Sequence, residues 1–329
     1  MKPVTALAIG FLIMAITGFL CLCLGSERSV HPFDLTVWQN AFADKWEYRE
    51  LILFSVRLPR LVLGLIVGGS LALAGLVFQS LLRNPLADPF ILGVSGGSGL
   101  AAVLIQLSGI HRPLVLVCGA FMGGVGAMFL VQMLAGSGGK IDRGRLILAG
   151  VVLNAFFAAL ISLVLILAGK DLPRIFAWLM GSLSVPEPAL FKPLAVVSII
   201  TSAILWVYSH RLNLIALGDH QAYHLGIPPE GTKKVALLCA SLLTAIAVSL
   251  AGMIGFIGMF VPHAVRLVFG SDHKILIPAT FSVGAGLLMF ADTLARISPT
   301  GVELPVGTLT ALFGAPFFLS LLLKSGHSQ

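Results

Sequence analysis

The sequence predicts an all-α, polytopic membrane protein, and three observations carry that prediction. Of the 329 residues, 57% are hydrophobic and only 11% charged, whereas a water-soluble domain normally carries about 25% charged residues. The mean hydropathy is +1.00. Apolar runs of about 20 residues, enough to cross roughly 30 Å of hydrocarbon at about 1.5 Å per residue, recur along the whole chain. The strand alternation of an outer-membrane barrel is missing, and helices satisfy their own backbone groups in lipid. Residues 1–329 are therefore expected to form a single transmembrane domain with no soluble domain beside it.

The first run, Val4 to Leu24, follows Lys2 as a secretion signal would. It is too long for the apolar core of a signal and ends in Cys-Leu-Cys-Leu-Gly-Ser instead of a small-residue cleavage site, so it reads as a retained span. Spans are expected near 5–25, 57–82, 92–109, 114–136, 146–168, 192–208, 234–255, 257–269, 275–296 and 306–323. Ten crossings would put both termini on one side of the membrane. Ile257 to Phe269 is too short to cross alone, and lipid tolerates such an element only where neighbours cover it. No convincing internal repeat is visible. Cys21, Cys23, Cys118 and Cys239 lie inside apolar runs without a CxxC pair or a nearby histidine cluster, and read as small lipid-compatible residues.

Basic residues in the connections vote weakly on orientation, eleven on the side of Lys2 and ten on the other. The acids separate better: Glu27, Asp34, Asp44, Glu47, Glu50, Asp171, Glu187 and Glu303 all fall on the outer side. Two connections are long. Ser26 to Leu53 carries Trp38, Trp46 and Tyr48 and reads as an interfacial anchor. Residues 209–234, SHRLNLIALGDHQAYHLGIPPEGTKK, can form one short amphipathic helix from Leu212 to Leu225, capped by Gly226 and ended by Pro228-Pro229. Such an insert is a surface for another protein to hold, or a helix resting at the headgroups.

The stretch RNPLADPFILGVSGGSG, Arg83 to Gly99, interrupts two apolar runs. Pro85 and Pro89 stop the helix, Asn84 and Asp88 can bond the freed backbone groups, and the glycines and serines allow close helix approach. Asp292 is an acid placed within a span, one turn from Arg296, and an i,i+4 ion pair is the preferred reading. His263 reads as a packed helix-end group instead of a metal ligand.

These blocks, with RLPRLVLGLIVGGSLALAGLVFQSLL before the interruption and RLILAG, ALGDHQAYHLGI, GFIGMFVPHAVRLVFGSDHKILIP and ADTLARISPTGVELPVGTLTALFGAPFFLSLLLK after it, resemble the iron-chelate and cobalamin permease family. That family comprises the transmembrane subunits of type II ABC importers, and the match is collinear from about Arg57 to Lys324. The resemblance implies an inner-membrane homodimer, two cytoplasmic ATPase subunits and a substrate-binding protein that docks from outside, with membrane lipid around it and no nucleic acid partner. It implies no cofactor on this chain, ATP being hydrolysed by the partner subunit. Asn84 and Leu86 match the cytoplasmic gate, with Arg143 and Gly144 as its other half. The familiar cobalamin importer has small hydroxyl residues at those last two places, so Arg143 reads either as a partner for an anionic substrate or as a contact to lipid phosphate. Arg57, Arg60 and Arg296 match docking pockets for glutamates of the binding protein; the alternatives are snorkelling at the interface and, for Arg296, a local pair with Glu303. Leu217, Gly218, Asp219, Ala222, Leu225 and Gly226 match the ATPase-coupling segment.

Other classes fit less well. A gradient-driven transporter should show paired discontinuous helices with midplane acids, and Asp292 alone qualifies. Neither HExxH, GxSxG nor a Walker A pattern occurs, so an enzyme is not expected, and ATP must be split elsewhere. The expected cargo is an iron-siderophore, with haem or a corrinoid as alternatives.

Overall fold

A computed structural model describes residues 3–25, 34, 37, 39–40, 46–137, 140–183, 188–298 and 303–325. Trp38 and Glu187, considered above, lie outside the described residues. Among those described, all regular structure is helical apart from a two-residue antiparallel ladder pairing Gly136–Ser137 with Lys140–Ile141. In chain order the helices are α1 (Pro3–Cys23), α2 (Tyr48–Leu82), α3 (Val94–Leu107), α4 (Pro113–Ala135), α5 (Arg143–Leu167), α6 (Leu172–Leu179), α7 (Pro188–Val207), α8 (Ser209–Leu217), α9 (Asp219–His224), α10 (Pro229–Ala251), α11 (Ile257–Phe269), α12 (His273–Arg296) and α13 (Val306–Ser325). Six of them, α2, α4, α5, α7, α10 and α12, are long and apolar enough to cross a membrane.

α2 is the axis of the bundle, packed by α10, α11 and α12, and 89% of its most apolar stretch is buried within the chain. The corresponding share of α5 is 17%. A helix that is apolar on every side yet so little covered requires lipid or another apolar chain around it. Close approach at the axis depends on glycine: a methyl carbon added at Gly284 of α12 would lie 2.6 Å from the Gly68 carbonyl oxygen of α2. The same device joins α3 to α4, where a methyl at Gly97 would lie 2.6 Å from the Gly123 carbonyl oxygen. Without a hydrophobic drive between helices in lipid, small residues let backbones pack by dispersion.

Three expectations need correction. The second span does not begin at Arg57. It begins at Tyr48, where the Glu50 carboxylate reaches back to the Glu47 N–H at 3.1 Å. It then winds as a π-helix over Leu51–Arg57, with the Leu58 N–H bonded to the Leu53 carbonyl. Pro59 has no N–H to offer one turn back, and the wider winding just ahead of it carries the helix past that gap. Second, the connection after α5 contains α6. Its apolar residues Leu172, Ile175, Phe176 and Leu179 follow helical spacing behind Pro173, and Ile175 and Leu179 bury against Val103 and Val164. Third, the insert is two helices. Gly218, at φ 150° and ψ 150°, separates α8 from α9 in a conformation essentially confined to glycine.

The short element Ile257–Phe269 is covered by α2, α12 and α13, as lipid exclusion requires.

Candidate functional site: two charged ends

At the end where α2 stops and α10 starts, four elements meet on one carboxylate. α2 ends at Arg83 in a left-handed conformation (φ 51°), which turns its guanidinium onto the Ile215 carbonyl of α8 at 3.0 Å. Asn84 then accepts from the Leu86 N–H at 2.9 Å, closing the turn predicted from its sequence, and Leu86 is exposed. Asp88 accepts from the Phe90 N–H at 2.8 Å and caps the 3₁₀ turn Pro89–Leu92. Burial pushes the Asp88 carboxyl up to about 6.

Asp142 caps α5 by accepting from the Arg145 N–H at 2.8 Å, leaving Gly144 exposed on the first turn. Arg143, part-buried, is held by two groups of the chain: Nε donates to the Leu81 carbonyl at 2.7 Å and Nη2 to Asp219 Oδ1 at 2.6 Å. Lys233 of α10 sits 2.6 Å from Asp219 Oδ2 and 2.9 Å from Glu230, and Arg83 approaches Asp219 at 3.9 Å. Glu230 in turn accepts from the Ile141 N–H at 2.7 Å. Partial burial opposes the Asp219 charge, but the Lys233 hydrogen bond and the charges of Arg143, Lys233 and Arg83 outweigh it and hold the carboxyl below its ordinary value.

The insert thus has two faces. Leu212, Ile215 and Ala222 are buried inward, while Leu217, Tyr223 and Leu225 are exposed outward. Gly226, at φ 80°, ends α9 as its sequence predicted, with the Ile227 N–H bonded back to the Ala222 carbonyl.

At the opposite end the three arginines that match the docking pockets are each bonded to groups of the chain. Arg57 is 2% exposed and donates to the Leu22 carbonyl at the end of α1 at 2.8 Å. Arg60 bridges Asp292 at 3.1 Å and Glu303 at 3.0 and 3.1 Å. Arg296 pairs with Asp292 at 3.0 Å, the predicted one-turn pair, whereas Glu303 binds Arg60 and not Arg296. The reason is position: Glu303 returns over the amino end of α2 before α13 begins, where Nη1 and Nη2 of Arg60 both donate to its carboxylate. The Arg60 hydrogen bonds hold the Glu303 carboxyl below its ordinary value.

Between α3 and α5, beside the Pro89–Leu92 turn, lies a mostly apolar cavity of about 300 Å³ lined by Phe90, Ser95, Gly96, Asn154, Ala158, Ile161 and Met253. Asn154 donates to the Phe90 carbonyl, tying the turn to α5. Among the described residues no three metal-ligating side chains converge. Asp219 as a hub was not visible in the sequence, since its partners lie far along the chain.

The chain and its fold have counterparts among known proteins. The chain is 42% identical over 280 residues to the cobalamin import system permease protein BtuC of Halobacterium salinarum, covering 84% of this chain and 74% of that one. It is 37% identical to the hemin transport system permease protein HmuU of Yersinia pestis, over 98% and 97% of the two chains. It is 38% identical to the Fe(3+) dicitrate transport system permease protein FecD of Escherichia coli, over 95% and 97%. A solved structure described as an inward-facing conformation of a candidate metal-chelate type ABC transporter superposes with a TM-score of 0.84 at 32% identity, over 98% of this chain and all of that one. With residues 12–324 matching as one block, the chain belongs to the FecCD transport family.

Proposed function

We propose that the chain is the membrane-spanning permease subunit of an ATP-driven importer of metal chelates, working in the inner membrane as a homodimer with two cytoplasmic ATPase subunits and an external binding protein. One observation carries the reading: the exposed apolar face of α8 and α9 is wired through Asp219 to Arg83 and Arg143, and these flank Asn84, Leu86 and Gly144. A force applied to the insert by an ATPase therefore reaches the ends of α2 and α5 directly, which is what alternating access by rigid helix units needs. The chain binds no cofactor and hydrolyses nothing itself. Both termini and the Asp219 end face the cytoplasm, and ten segments cross.

Docking of the binding protein at the Arg60 end requires a carboxylate to share or displace Glu303, which is 59% exposed on its side chain. The cargo is an iron-siderophore. A corrinoid is the second reading, favoured by the relative named for cobalamin at 42% identity. The test is reconstitution of the permease with its genome-neighbour ATPase and binding protein in proteoliposomes, followed by ATP-dependent uptake of radiolabelled ferric siderophore, haem and cobalamin. Uptake of one chelate supports the reading and names the cargo. Tight assembly without ATP-dependent uptake of any chelate overturns it.

A further inference from the structure

At the Arg60 end of the bundle, but away from Arg60, a cavity of about 380 Å³ opens between α3, α4, α6 and the last residues of α10. It is separate from the cavity beside Asn154. Gln106 lines it, 2% exposed, with Oε1 accepting from Arg174 Nε at 3.3 Å and Nε2 meeting no hydrogen-bond partner. A buried amide N–H₂ without an acceptor is destabilising, so its persistence points to an occupant that supplies one. Arg174 also contacts His111 Nδ1 at 2.5 Å. A guanidinium can only donate, so Nδ1 is the acceptor and a neutral His111 carries its proton on Nε2. Arg112 and Pro113 complete the rim, and Pro113 opens α4, a 23-residue helix whose amino end carries partial positive charge. No aspartate or glutamate lines the cavity.

Donors prevail among the polar groups here: the Gln106 Nε2 amide, two arginines and the His111 imidazole, with the Ser182 hydroxyl able to donate or accept. We propose that this cavity is an oxyanion site, built for a carboxylate or phosphate group seated on Gln106 and Arg174 with Arg112 closing over it. Trp178 and Leu116 form apolar walls, so the group arrives on a molecule with some apolar body. Two sources share that chemistry, a soluble polycarboxylate reaching the site from water and the headgroup phosphate of an anionic lipid. Neither arrangement uses the Asp219 network, so the inference stands whether or not the transport reading holds.

The test uses the purified full chain in nanodiscs. In phosphatidylcholine discs, citrate is titrated by calorimetry. In discs containing phosphatidylglycerol, retained lipid is counted by native mass spectrometry. Saturable citrate binding that weakens at least tenfold in Arg174→Gln and in Gln106→Glu supports the site with a soluble ligand. Retained phosphatidylglycerol that is lost in both variants supports it with a lipid ligand. Arg174 is exposed, so its variant tests the site without disturbing the core, and Arg112→Gln should give a smaller loss in the same direction. If neither probe binds, or if binding is unchanged in Arg174→Gln and Gln106→Glu, the site does not exist.

Discussion

At one end of the molecule Asp292 sits with 2% of its side chain exposed between Arg60 and Arg296, and at the other Asp219 sits with 39% exposed among Arg83, Arg143 and Lys233. Both clusters set an aspartate and a glutamate against basic side chains. The first cluster ties α2 to α12 where the Gly68 and Gly284 contact already brings them together, and its two acids balance its two arginines. The second ties four separate segments and has three bases against Asp219 and Glu230. A dry, balanced pair resists separation because each lost partner leaves a charge in low dielectric. A wet cluster with a surplus base can exchange partners at little cost. One end is a clamp and the other is a joint.

The largest effect tests the clamp. Asp292→Ala leaves Arg60 and Arg296 without their shared acid and should destabilise the protein by about 3–5 kcal/mol. The measurement is the denaturation midpoint in a fixed detergent. Combining Asp292→Ala with Arg60→Met should recover part of the loss, since the stranded charge is removed with its partner. A loss below about 1 kcal/mol in the single variant would put both ends in the same exposed class.

The second effect tests the joint through its backbone. Gly218 at φ 150° and ψ 150° lies in a region that costs other residues about 1–3 kcal/mol. Gly218→Ala should therefore fuse or misdirect α8 and α9, and substrate-stimulated ATP hydrolysis by the assembled complex should fall while assembly persists. Unchanged stimulation would show that the angle between the two helices carries no force.

How much of this was legible in the sequence follows from range. Apolar runs fixed by local hydropathy become helices nearly where expected, and Ile257–Phe269 falls on its expected limits. The Asp292 and Arg296 pair was readable because four residues on one helix determine it. Arg60 with Asp292 and Glu303 was not, at separations of 232 and 243 residues. Arg143 was read as facing substrate or lipid because Asp219, 76 residues on, had no visible connection to it. The break at Gly218 was hidden because the flanking residues all favour helix and a lone glycine costs a helix only about 1 kcal/mol. What decided it is tertiary: α9 must turn so that Asp219 reaches three bases at once.

A pH scan separates the ends by a smaller margin. Asp88, with its carboxyl raised to about 6, binds its proton more tightly folded than unfolded. Its contribution is therefore full below the unfolded value of about 3.9 and is lost as pH rises through about 6. Glu303 has the opposite sign: its lowered carboxyl contributes fully above the unfolded value and loses that only as pH falls through the lower folded one. Between pH 7 and 5 the Asp88 contribution should raise the thermal midpoint relative to a variant that lacks it. Asp88→Asn, which keeps a capping oxygen, should remove that rise, and Glu303→Gln should leave it in place. A rise that survives Asp88→Asn would assign the titration elsewhere.

The smallest effect is the one that distinguishes joint from clamp most directly. Asp219→Asn removes one charge from a partly exposed cluster, and exposed pairs are worth roughly 0.2–1 kcal/mol, so global stability should barely move. Salt should do to the wild type what the substitution does permanently, because the screening length falls from about 8 Å at physiological ionic strength to about 3 Å at 1 M. Raising salt towards about 1 M should therefore speed hydrogen exchange in α9, residues 219–224, while the amides of α12 around Asp292 stay protected. In Asp219→Asn the α9 amides should exchange fast at every salt concentration. If α9 protection in the wild type ignores salt, Asp219 is held by packing of Leu212, Ile215 and Ala222 beneath it, and the joint is as rigid as the clamp.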